Sequence, residues 1–103
     1  MTEVRVFLAT GDDEMMELLA DTAAVMVSEL GISRAEAVAR INEYWSTRQQ
    51  LLDNWMAGHE AAEYWAFYIY FAEDTPVREW RTADRSSWVP DPAPPRSSGF
   101  WTV

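Results

Sequence analysis

The sequence predicts a mainly α fold: a small three-helix domain crossed by an extended Pro/Trp-rich C-terminal arm, with a short strand near the N-terminus. Three observations carry that expectation. Apolar residues recur every three or four positions through 13–30 and again through 34–52. Gly31 and Ser33 stand between the two runs, where one helix ends and the next begins. Pro90, Pro92, Pro94 and Pro95 crowd the final segment and forbid a long helix there. A chain of 103 residues buries enough surface for one modest core, so residues 1–73 read as a helical body and 74–103 as an arm packed on it.

Val4 to Ala9 is β-branched and apolar, which predicts a short strand whose only candidate partners are Trp88-Val89 and Phe100 to Val103. From Asp12 or Asp13 the period turns helical. Met15, Leu19, Thr22, Met26 and Leu30 form one stripe, opposite Glu14, Glu17, Asp21 and Ser28. Asp12, Asp13 and Glu14 suit the positive end of the helix dipole. Gly31 ends the run as a left-handed cap, with Ile32 placed to fold back on Val27.

Ser33-Arg34-Ala35-Glu36 is a capping box. It opens a second helix, expected over 34–52, with Val38, Ile41, Trp45 and Leu52 on its apolar stripe and the Glu36/Arg40 pair on its wet side. Asp53-Asn54 and Gly58 punctuate the pattern. Six of the eight residues from Tyr64 to Phe71 are aromatic, and this run fits two periods. Trp65, Phe67, Ile69 and Phe71 alternate as in a strand; Ala61, Tyr64, Trp65, Tyr68 and Ile69 make a helical stripe. The propensities of Glu60-Ala61-Ala62-Glu63 decide for a helix over 59–72, ended by Thr75-Pro76. Trp80, Trp88 and Trp101 then imply that the arm covers the body rather than hanging free.

Charge and composition narrow the function. The net charge is −9, and residues 1–30 carry seven acids against Arg5 alone. Such a field repels phosphate backbones and anionic lipid and attracts basic partners, so no nucleic acid and no membrane is expected. No apolar run approaches the roughly 18 residues of a membrane span, and the chain reads as cytoplasmic. The chain has no cysteine, which excludes thiol chemistry and zinc-thiolate sites. All eight basic residues are arginine, the cation that stacks on rings and forms forked hydrogen bonds.

The one metal-like spacing is His59-Glu60-x-x-Glu63, in which a continuous helix would place His59 and Glu63 four apart on one face. It lacks the second histidine of a zinc protease motif, and no other histidine completes a ligand set. The competing reading gives Glu60 and Glu63 to the dipole at a helix start. No Gly-x-Ser-x-Gly turn and no glycine-rich phosphate loop is present, so no catalytic residue and no cofactor is assigned. Pro92-Ala93-Pro94-Pro95-Arg96 has the content of an SH3-type ligand, but a structural arm is the preferred reading of it. Six tryptophans exceed what a core of this size absorbs, which brings some rings to the surface. The leading expectation is therefore a non-enzymatic, acidic interaction or regulatory protein of the immunity or antitoxin kind. It would bind a protein partner, basic in charge or a second copy of itself, through Tyr64, Trp65, Tyr68, Trp80 and Trp88. The alternative is a metal-binding protein or metal-dependent enzyme built on the His59/Glu63 pair.

The runs Gly31 to Asn42 and His59 to Ala66, followed by Ile69-Tyr70, resemble segments of small acidic helical proteins of GC-rich bacteria to which no function is assigned. The resemblance spans roughly residues 13–71 and implies a shared helical scaffold, with no activity attached.

Overall fold

The computed structural model describes residues 5–50 and 60–103. Among these the chain is mainly helical, with α1 (Asp13–Leu30), α2 (Arg34–Trp45), α3 (Ala62–Tyr70) and a 3-10 turn at Val77–Glu79. α1 packs against both α2 and α3. The side chain of Asp12 caps α1 by accepting from the Met15 amide at 2.9 Å. Gly31, at φ +72°, closes the helix by donating to Val27 O at 3.2 Å. Leu19, Thr22, Ala23 and Met26 are the residues α1 buries, which is the predicted stripe shifted slightly toward its centre.

Only half of the capping box forms at α2. Ser33 Oγ accepts from the Glu36 amide at 3.0 Å, but the Glu36 carboxylate turns to Arg40 at 2.9 Å instead of returning to the cap. Arg40 is not on a wet face: it is 7 % exposed, donates to Asp91 O at 2.7 Å and lies over the Tyr70 ring at 4.5 Å. The expected continuation of α2 to Leu52 is interrupted at Ser46. Its hydroxyl donates to Glu43 O at 2.6 Å, giving the last turn a local partner that competes with helix propagation. Leu52 lies outside the described residues.

The predicted N-terminal strand does not form over residues 5–9. No ladder is available, because the backbone here bonds to side chains. The Leu8 amide donates to Asn42 Oδ1 at 3.0 Å, and Val6 O accepts from Asn42 Nδ2 at 3.2 Å and from the Thr102 hydroxyl at 2.5 Å. Asn42 Nδ2 also donates to Phe100 O at 3.0 Å, so one buried amide on α2 ties both ends of the chain to the helices.

Helix, not strand, is the outcome for the aromatic run, though α3 is shorter than the predicted 59–72. It starts at Ala62, after Ala61 in an extended conformation, and ends when Phe71 becomes extended. The reason for that end is tertiary. Phe71 forms an isolated antiparallel bridge with Pro90, flanked by Ala72 N–H to Val89 O at 2.9 Å and Asp91 N–H to Tyr70 O at 2.8 Å. Pro90 sits where no amide hydrogen is required of it. The main core gathers Leu19, Ala23, Met26, Val38, Ile41, Trp45, Ala66 and Ile69. A second cluster gathers Phe67, Phe71 and Val77, with Trp80 and Trp88 of the arm packed against it.

Candidate functional site

α3 directs its aromatic side chains into two separate arrays. Facing the arm, Phe67 is fully buried between the Trp80 ring, stacked at 4.7 Å, and the Phe71 ring, stacked at 6.0 Å. Trp88 meets Phe71 edge-on at 5.1 Å. Burying a phenylalanine is worth about 1.5–3 kcal/mol, so this array holds the arm in place. Trp80 and Trp88, expected to contact a partner, are half-buried within it.

The second array lies toward the end of α2. Trp45, 2 % exposed, sits 4.9 Å from Tyr44 and 5.2 Å from Trp65. Tyr64 and Tyr68, one helical turn apart on α3, stack at 5.4 Å with 24° between their planes. Tyr68 meets Tyr44 at 5.9 Å and Trp65 at 5.8 Å, both edge-on. Burial increases from Tyr68, 39 % exposed, through half-buried Trp65 to Trp45. The indole N–H of Trp45 has no hydrogen-bond partner among the described residues. Two guanidinium groups border the array: Arg48 lies 4.3 Å over Tyr44, and Arg78 lies 4.6 Å over Tyr64.

This environment favours the protonated form of Tyr44 and Tyr64. Burial, reinforced by the neighbouring Tyr68, pushes the Tyr44 hydroxyl up to about 12 despite the opposing charge of Arg48. Burial likewise raises Tyr64, against the opposing charge of Arg78.

Tyr68 forms a ridge between two clefts. On one side a groove of about 320 Å³ is lined by Tyr64, Tyr68, Thr75, Pro76, Val77, Arg78 and Glu79. On the other, a smaller cleft of about 150 Å³ is lined by Tyr44, Arg48, Tyr68, Ile69, Phe71, Glu73 and Asp91. The larger is at the small end of the ~300–1,000 Å³ range of ligand pockets.

Of the candidate metal residues Glu60 and Glu63 are described, and only Glu63 lies in a helix. Glu60 precedes α3 and is gripped by both arms of Arg78, at 2.5 and 3.1 Å. Glu63 lies in the first turn, where its charge suits the dipole. His59 lies outside the described residues, and no group of three or more metal-ligating side chains occurs among those described. No described helix is long and apolar enough to cross a membrane.

Of the five expected contact residues, the structure thus brings Tyr64, Trp65 and Tyr68 together and places Trp80 and Trp88 in the other array. Tyr44, Arg48 and Arg78 were not expected at the site. Arg48, four residues beyond Tyr44, was readable as a helical neighbour; Arg78 reaches Tyr64 only through the turn after α3. No protein-family model, curated protein or solved structure matches the chain.

Proposed function

We propose that this chain is a non-enzymatic protein-binding module, of regulatory, immunity or antitoxin type, that engages its partner through the Tyr44/Tyr64/Trp65/Tyr68 surface. The observation that carries this reading is Tyr68. It is exposed at the crest of an array whose other members are rigidly packed beneath it. Aromatic anchors backed by a fixed core lose little side-chain freedom on binding, which is why tyrosine, tryptophan and arginine dominate binding hot spots. The net charge of −9 favours a basic partner through steering of the encounter.

The test replaces Tyr68 with a photo-crosslinking amino acid in the native host and compares it with the same replacement at exposed Thr82. A discrete adduct specific to position 68 and lost in Tyr64→Ala is expected, whether the adduct is a second copy or a different protein. Identical adduct patterns at the two positions, or none at position 68, overturn the proposal.

A further inference from the structure

We infer that the two clefts beside Tyr68 together accept a proline-rich segment, in polyproline II conformation, that carries an arginine or lysine. This rests on the protein-binding reading above and names the partner's chemistry. Polyproline II segments lose little entropy on docking and are recognised by shallow aromatic-lined grooves. The groove lined by Tyr64, Tyr68, Pro76 and Val77 has that character. The Tyr64 hydroxyl can donate to a backbone carbonyl, the group such a segment exposes along its length.

The neighbouring cleft supplies the charge preference. Its two carboxylates, Glu73 and Asp91, are exposed and in no ion pair among the described residues. Its one cation, Arg48, donates to Tyr44 O at 2.8 Å and covers the Tyr44 ring, so its charge offsets one of the two acids and the cleft stays net acidic. A basic side chain arriving over Tyr68 therefore meets two acids against one cation. The chain also binds one of its own proline carbonyls with a tryptophan indole. The Trp101 indole N–H donates to Pro94 O at 2.9 Å, Pro94 is buried, and Arg96 lies 4.1 Å over the Trp101 ring. Pro94 is thereby engaged in its own chain, and the occupant is a separate partner's segment.

The experiment titrates the isotopically labelled full chain with three synthetic peptides and follows backbone amide shifts. The probes are an oligoproline ending in two arginines, an oligoproline ending in two glutamates, and an oligoalanine ending in two arginines. The first is expected to shift Tyr64, Tyr68, Glu73 and Val77 and to bind at least about tenfold more tightly than either other probe, a difference of about 1.4 kcal/mol. Tyr68→Ala is expected to abolish the shifts. Glu73→Gln with Asp91→Asn, both exposed and conservative, is expected to erase the preference for arginine over glutamate while oligoproline binding persists. Equal binding of the oligoalanine peptide, or absence of shifts at Tyr64 and Tyr68, overturns the inference. A position-68 crosslink that survives such a failure leaves the protein-binding reading standing with a partner of different chemistry.

Discussion

Replacing Asn42 with alanine removes a side chain that holds both ends of the chain, and the cost can be worked from its partners. Three contacts are short: Leu8 N–H to Oδ1 at 3.0 Å, and Nδ2 to Val6 O at 3.2 Å and to Phe100 O at 3.0 Å. The fourth, to Thr102 Oγ1 at 3.5 Å, is too long to count for much. In Asn42→Ala, Val6 O keeps the Thr102 hydroxyl, while Leu8 N–H and Phe100 O lose their partners. An orphaned buried polar group costs about 1–3 kcal/mol. Leu8 is 41 % exposed, so water recovers part of its share. Together with the space vacated at a fully buried position, the loss comes to about 2–4 kcal/mol, a large fraction of the ~5–15 kcal/mol that holds a domain folded. Urea denaturation measures it, and hydrogen exchange at the Leu8 amide reports where it acts. Thr102→Val sharpens the test. Alone it should cost about 1 kcal/mol, because Val6 O still has Asn42; in the Asn42→Ala background it should cost roughly 1 kcal/mol more, because Val6 O then has nothing. A loss below about 0.5 kcal/mol for Asn42→Ala, or strict additivity of the pair, would refute the assignment of Asn42 as the joint tether.

The remaining expectations concern the arm, a cap and the phenols. Arg40→Met breaks the links to Glu36 and Asp91 O and should cost about 2 kcal/mol, less than a fully buried ion pair because Glu36 is partly solvated. It should also speed hydrogen exchange at Ala72 and Asp91, and unchanged exchange there would show that Arg40 does not hold the arm. Gly31→Ala forces a side chain into φ +72° and should cost about 1 kcal/mol, whereas Gly99→Ala, in open space without such a φ, should change stability by less than about 0.5 kcal/mol; equal melting temperatures for the two would contradict the cap. Tyr44 holds its proton in the folded state up to about 12 while the unfolded chain releases it near 10.0. Its contribution is therefore complete below pH 10 and lost as pH rises toward 12. Denaturation across that range should be steeper for the wild type than for Tyr44→Phe, and parallel curves would count against it.

How much of this was legible depended on how far the deciding partner lay along the chain. The stripe of α1, its start at Asp12 or Asp13, the Gly31 stop and the Ser33 start are local features, each set by residues within a turn or two of one another, and they were read correctly. Arg40 was misplaced on the wet side because the spacing of Glu36 and Arg40 describes only their own helix. The carbonyl of Asp91 and the ring of Tyr70, which draw the guanidinium inside, come from distant sequence. Val4 to Ala9 has strand composition, yet Asn42 and Thr102 satisfy the backbone of Val6 and Leu8 with side chains. The candidate site followed the same division. Tyr64, Trp65 and Tyr68 were visible as one run, whereas the separation of Trp80 and Trp88 into another array was not.

By itself, the sequence determined a mainly helical chain, the register of α1 and the start of α2, an acidic surface, and a concentration of aromatic residues at 64–71. Those follow from period, capping and charge, which act over a few residues. Only the tertiary structure decided that Phe67 and Phe71 face the arm while Tyr68 faces outward, because that choice depends on which side of α3 the bridge between Phe71 and Pro90 brings Trp80 and Trp88 to cover. Burial of one set of rings leaves Tyr68, at the edge of the other, exposed.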